Sequence, residues 1–184
     1  MLDFWLAIPP EEYQRYGDRM GTVARMGSKI HGVNRPDMME TAARPRPGGS
    51  GRGPARDLGR FYEVLLNGGT YDGKVIFRES TVELFRRCHR QDMYDRTFKH
   101  VLDWGLGIQV NSWRHGGESV PYSFGRYASS DSFGHCGHLC SSAWCDPRHE
   151  LVVALVFNGQ PSGEGHHHRM NSVHAALYGD LELV

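Results

Sequence analysis

The densest group of reactive side chains in this sequence is Phe133-Gly134-His135-Cys136-Gly137-His138-Leu139-Cys140, with Cys145 shortly after it. Imidazoles and thiols so close together raise the question of zinc, whose structural sites need ligands converging on a tetrahedron. The stretch reads as extended chain, however, and alternation along a strand throws His135 and Cys136 to opposite faces. Only a minority of the ligands can then converge. A strand lying beside a reaction site is the reading favoured over a metal centre.

Three other groups invite chemical readings. The run His166-His167-His168 offers metal ligands, but it sits between Gly-rich residues and a predicted helix and reads as a solvated polar loop. Asp92, Asp95 and Asp103 could act as general acids or bases, yet no helical or strand spacing pairs them, and they too read as a polar connection. Serine, histidine and aspartate are plentiful, but no Gly-x-Ser-x-Gly elbow occurs. Gly49-Ser50-Gly51 lacks the spacing and has no apolar strand before it, which argues against an α/β-hydrolase nucleophile.

The elements that must position these residues follow from pattern. Residues 32–53 carry few large apolar side chains and much Arg, Pro and Gly, and are predicted to form a surface loop. A helix is predicted over 54–67: Pro54 suits a first position, Asp57 suits the positive end, Leu58, Phe61, Leu65 and Leu66 make one face, and Gly68-Gly69 stops it. Ser80 and Glu83 have capping-box spacing for a second helix ending near Arg87, with Val82 and Phe85 inward. Trp104, Leu106, Ile108 and Val110 alternate as in a half-buried strand whose glycines admit other backbone closely. Strands are predicted at about 132–138, 140–145 and 151–158. Asp146-Pro147-Arg148-His149 turns the last two into an antiparallel hairpin, and Leu151 to Phe157 reads as a buried strand. A helix at about 170–181, with Val173, Ala176, Leu177 and Leu181 on one stripe, closes the chain. The fold class is α+β (mixed α/β), an antiparallel sheet flanked by helices.

Composition sets the limits. The 184 residues suffice for one domain with a real core, and equal counts of basic and acidic residues, 21 each, give no electrostatic footprint for nucleic acid or a membrane surface. Met1 to Pro10 is too short and too interrupted for a signal peptide or a span. Cys88, Cys136, Cys140 and Cys145 are a poor disulfide framework, because three of them fall on neighbouring predicted strands. A reduced, cytoplasmic chain is the expected setting, although a fragment of an exported precursor would also lack its signal.

Two stretches carry a resemblance. Gly48 to Phe61, running into Leu65-Leu66-Asn67-Gly68-Gly69, resembles the Gly-rich turn and helix of β-lactamase-related serine hydrolases. Phe133-Gly134-His135-Cys136-Gly137, followed by Trp144-Cys145-Asp146-Pro147 and the strand to Asn158, resembles their third active-site motif and its hairpin. Trp104-Gly105-Leu106-Gly107 is similar to the strand that precedes that motif, and Met1-Leu2-Asp3-Phe4-Trp5 to the tail of a Pro-Leu-Gly-Met stretch following the second motif. The resemblance implies that 1–184 is a single partial domain, the C-terminal portion of a β-lactamase-like hydrolase with an incomplete β-lactamase/transpeptidase-like fold.

Such proteins take a serine and a lysine from Ser-x-x-Lys and a proton-moving tyrosine from a Tyr-x-Asn-type motif. Here no serine is followed three residues later by lysine, and Tyr62, Tyr71, Tyr94 and Tyr122 fail the second pattern. The third motif remains, reading His-Cys-Gly where many lactamases have Lys-Thr-Gly. By resemblance, His135 contacts substrate or the proton-transfer tyrosine, Cys136 lies at the substrate, Gly137 lets the strand approach the acyl group, and the His138 amide is one of two oxyanion donors. A neutral imidazole lacks the permanent charge that attracts a β-lactam carboxylate, so ester or peptide chemistry moves ahead of lactamase. The implied partner is a small-molecule ester, amide or lactam acted on by the intact parent, with no cofactor, no metal, no nucleic acid and no membrane. The chain alone is expected to be inactive. In the family the sheet takes further strands from the N-terminal part, so the 151–157 strand is expected to show an open edge and to self-associate. The alternatives are a non-catalytic binding or regulatory protein on this scaffold and, behind it, a zinc-binding protein.

Overall fold

In the computed structural model, which describes residues 3–20, 24–25, 36–46, 48–49, 51–138 and 140–184, the organising element is the strand Ser141–Asp146. Alternation sends Ala143 and Cys145 to one side and Ser142, Trp144 and Asp146 to the other, all of them buried. Each side meets its own helix.

In chain order the elements are α1 (Pro10–Tyr16), β1 (Ala24–Arg25), α2 (Pro36–Ala43), α3 (Ala55–Leu66), β2 (Thr70–Tyr71), β3 (Lys74–Val75), α4 (Glu79–Arg86), β4 (Arg90–Asp95), β5 (His100–Trp104), β6 (Gln109–Val110), β7 (Phe133–Gly137), β8 (Ser141–Asp146), β9 (Leu151–Val156), β10 (Gly159–Gln160) and α5 (Gly163–Asp180). Strands β4 to β9 make one antiparallel sheet in sequence order. The α+β class and the antiparallel sheet flanked by helices are as predicted. Helix α3 lies on one face, where Tyr62 and Leu65 join Val82, Ile108, Phe133, Ala143 and Cys145. Burying each large side chain of that set contributes about 2 kcal/mol. Helix α5 covers the opposite face, where Trp144 stacks between Phe124 and Tyr178 at ring separations of 5.3 and 6.0 Å. A smaller cluster of Ile8, Tyr13 and Ala42 joins α1 to α2.

Several predicted elements need correction. The 32–53 segment is not loop throughout: α2 forms within it and buries Ala42, while 32–35, 47 and 50 lie outside the described residues. Alanine and methionine suit a helix interior despite the surrounding Pro and Gly. Helix α4 begins one residue before Ser80, with Arg78 at the cap and no side-chain cap bond, so the capping box is not used.

The predicted continuous strand from Trp104 to Val110 is broken. The Gly105 amide bonds the Ile108 carbonyl and the Leu106 amide bonds the Phe85 carbonyl, making a turn that leaves Leu106 exposed. Gly105 is required there, since a Cβ would lie 2.0 Å from the Phe85 oxygen. The β8–β9 hairpin forms as predicted, but β9 is half-buried, with Val153 inside and Val156 outside, because it is the last strand of the sheet.

The last helix starts earlier than predicted. Ser162 caps it by accepting the Gly165 amide at 3.1 Å, so His166-His167-His168 is helical and not a loop. Its buried residues are His166, Met170, His174 and Tyr178, while Ala176 and Leu181 are exposed; the predicted stripe is rotated from the observed one.

Candidate functional site

The site begins with how β7 is covered. Strand β8 pairs with all of it, from Phe133 opposite Cys145 to Gly137 opposite Ser141. On its other side β6 pairs only with Phe133 and Gly134, because the Gly105–Ile108 turn takes the chain away before it reaches His135. Among the described residues, therefore, His135, Cys136 and Gly137 have no strand pairing on that side. An uncovered backbone edge of this length accepts an extended substrate in the manner of an added strand.

His135 is exposed on the face that α3 covers further along the strand. Its Nδ1 lies 2.8 Å from the Cys136 carbonyl oxygen, so Nδ1 carries a hydrogen, and in the neutral ring Nε2 is left as an acceptor. The ring rests 5.5 Å from that of Trp104, whose own ring takes the Arg90 guanidinium at 5.5 Å. From below, Tyr62 reaches the His135 backbone, while burial pushes the Tyr62 phenol up, out of the titrating range. His135 is thus held by a carbonyl, an aromatic wall and a supported strand.

Cys136 does not share that face. It pairs across to Ser142, its thiol meets the Ser142 hydroxyl at 3.3 Å and the Tyr122 carbonyl at 3.6 Å, and burial pushes it up to about 11. A neutral thiol on the α5 side offers no nucleophile to the His135 side. What Cys136 contributes there is its carbonyl. Gly137 has a tight environment, with Ser141 Oγ 2.1 Å from the position of a Cβ. His138 is exposed, and its carbonyl accepts from Gln160 Nε2 at 2.9 Å, which ties the β7–β8 turn to β10. Leu139, within that turn, is outside the described residues.

The acidic residues are not a solvated loop. Asp103 is buried on β5 and receives the Asp92 amide at 2.9 Å, Arg114 at 2.9 Å and His115 at 3.1 Å. Burial opposes its charge, but these donors hold its carboxyl below the usual range. Asp92, Asp103 and His115 could hold a metal ion, yet Arg114 already bonds both carboxylates, so the group is a closed ion-pair network. Asp95 is likewise paired with Arg90 and caps the 95–98 turn through the Thr97 and Phe98 amides. Neighbouring strands bring these groups together, a relation no linear spacing reveals.

Ser129, Asp146 and His149 do converge, but the carboxylate bridges the other two: Ser129 Oγ donates to Oδ1 at 2.6 Å and His149 Nδ1 lies 2.7 Å from Oδ2. A nucleophile must touch the base, so this trio, with Ser129 and Asp146 buried and His149 half-buried, is structural. On the α5 side of β7, Ser119, Pro121, Tyr122, His166 and Met170 line a cavity of about 270 Å³. A larger one, about 540 Å³, lies between α3, β3 and α4, lined by Leu65, Val75, Phe77, Val82 and Glu83, and includes none of the predicted site residues. Sequence reading missed Trp104 and Tyr62 as supports of His135; the Trp-Gly-Leu-Gly stretch was a signal for the first.

The chain is 31% identical over 104 residues to the N-acetylmuramyl-L-alanine amidase of Bacillus subtilis (strain 168), a match covering 56% of this chain and 21% of that protein. A penicillin-binding protein homolog from Caulobacter crescentus superposes with a TM-score of 0.57 and 22% identity, over 94% of this chain and 48% of the other. EstA from Arthrobacter nitroguajacolicus Rue61a gives a TM-score of 0.63 and 16% identity, over 95% and 50%. The chain spans about half the length of these solved structures and a fifth of the curated relative. The family model named Beta-lactamase matches residues 1–177, and with that match the chain belongs to the beta-lactamase family.

Proposed function

We propose that this chain forms one wall of the acyl-transfer site of a serine hydrolase that acts on an ester or amide in preference to a lactam. The observation that carries the reading is the uncovered edge of β7 beside His135, whose tautomer presents Nε2 as an acceptor. An acceptor at that point serves to orient a hydroxyl or take a proton, the tasks acyl transfer requires beside its nucleophile. The fixed positive charge that recommends a lactam carboxylate is not supplied by a neutral imidazole. The names amidase and carboxylesterase among the relatives and structural neighbours support the same class of substrate.

The 184 residues contain no Ser-x-x-Lys, and the serine that comes nearest to a triad is buried against Asp146. This chain by itself is therefore inactive in our reading, since loss of an activated nucleophile leaves only weak residual acceleration. The test is incubation of the purified chain with a chromogenic ester and with fluorophosphonate and penicillin probes. No burst and no labelled serine are expected. Stoichiometric labelling at any serine refutes inactivity. For a longer form carrying Ser-x-x-Lys upstream, turnover that survives His135→Ala at full rate refutes the role of His135.

A further inference from the structure

The core-facing stripe of α5 is unusual. Residues His166, Met170, His174 and Tyr178, four apart along the helix, are all buried, at 3, 2, 0 and 0% exposure, so the helix is seated by two imidazoles where apolar side chains ordinarily serve. His174 packs edge-on against Trp144 at 5.4 Å and under Gly125, where a Cβ would come 2.8 Å from the His174 Cβ. Neither ring nitrogen of His174 has a hydrogen-bond partner among the described residues. His166 accepts Arg169 Nη2 at Nδ1, 3.1 Å away, and its buried Nε2 has none. A protonated imidazole in either position would be a buried charge without an acceptor, which burial strongly disfavours.

The surroundings offer no compensation. The groups acting on His166 are Arg169, His167 and His138, and the one acting on His174 is His166; all are cationic or neutral. From the sheet, Trp144 and the Asp146 carboxylate face α5, and the latter is committed to Tyr178, Ser129 and His149. From the 113–123 segment, the Tyr122 ring lies tilted against that of His166 at 5.7 Å, and Glu118 is held by Asn171, with His167 on its carbonyl.

We propose that α5 is an acid-released cover: protonation of His174, with His166, undocks the helix from the sheet and exposes the Phe124, Trp144 and Val153 face while α3 stays seated. Burial pushes His174 down to about 4 from an ordinary 6.5. A base lowered on docking weakens docking as pH falls through the interval between those values. For His174 alone the docking equilibrium falls about 40-fold between pH 6.5 and 4.5.

Hydrogen exchange of the full chain, corrected for intrinsic rates, reads this directly. Peptides from 163–180 are expected to lose about 40-fold or more protection over that interval while peptides from 55–66 keep theirs. Simultaneous loss in both segments, or an unchanged α5, overturns the proposal. His174→Phe, which keeps a ring against Trp144, is expected to hold α5 protection within about 3-fold; an acid step of native size in that variant also overturns it. Should the variant fail to fold, NMR titration of the His174 ring in the native chain decides: a ring that titrates near 6.5 with no change in α5 exchange refutes the device.

Discussion

Replacing Asp146 by Asn tests whether one buried carboxylate holds the end of the sheet together. The side chain is fully buried and accepts the Ser129 amide at 3.0 Å, the Ser129 hydroxyl at 2.6 Å, the Arg148 amide at 3.2 Å, His149 at 2.7 Å and the Tyr178 hydroxyl. These bonds join the β8–β9 turn, the 129–132 segment and the last turns of α5. Burial alone would raise the carboxyl, but the hydrogen bonds from Ser129, Tyr178 and His149 outweigh it and bring it down to about 2. An acid depressed on folding adds stability that is complete above its unfolded value, near 3.8, and disappears as pH falls through about 2. The shift corresponds to about 2 kcal/mol. An Asn amide also turns two N–H donors toward groups that are themselves donors, so the loss at pH 7 is larger, about 3 to 5 kcal/mol, comparable with breaking a buried ionic network. Urea denaturation at pH 7 and at steps from pH 5 to pH 2 measures both quantities. A variant within 0.5 kcal/mol of the parent, or one with the same acid slope below pH 4, would refute the reasoning.

Two glycines on β7 should respond differently to Ala. At Gly134 the new Cβ meets Trp144 Cβ at 2.3 Å and the Ala143 oxygen at 2.4 Å, so a loss of about 3 kcal/mol is expected in thermal or urea melts. At Gly137 it meets only the Ser141 side chain, whose Oγ can rotate away, and the loss should stay at about 1 kcal/mol. Thiol alkylation of the native chain at pH 8 should leave Cys136 and Cys145 largely unmodified, since burial pushes them up to about 11 and about 12; rapid modification at Cys136 would contradict its placement. Because no further strand pairs with β9 among the described residues, Val156→Lys at its exposed end should lower any self-association seen by sedimentation, and an unchanged sedimentation profile of an associating chain would place the contact elsewhere.

Sequence patterns revealed those elements whose burial is apolar and local. Leu58, Phe61, Leu65 and Leu66 mark α3, and the β7–β8–β9 run shows in alternation and in a Pro-containing turn. The pattern places helix α5 only from about residue 170 and on the wrong stripe, because its true buried face is built from histidine, methionine and tyrosine, which carry little weight in a hydrophobic pattern. The break after Trp104 depends on the carbonyl of Phe85 from α4, a contact that alternation cannot encode. Of the candidate site, His135 and Gly137 were identifiable by type and order. The opposite facing of Cys136 followed from strand geometry alone. The uncovered edge beside them was not visible, because it depends on where a different strand stops.

That stopping point has an engineering meaning. Strand β6 is two residues long and acts as a ruler for the aperture along β7. Lengthening it by one alternating pair would zip the backbone over His135 and Cys136 and shut the slot; removing it would strip the cover from Phe133 and open the core beneath α3. Access to this wall is therefore metered by the turn from Gly105 to Ile108, and loop grafting at that turn is the handle by which the width of the slot can be adjusted.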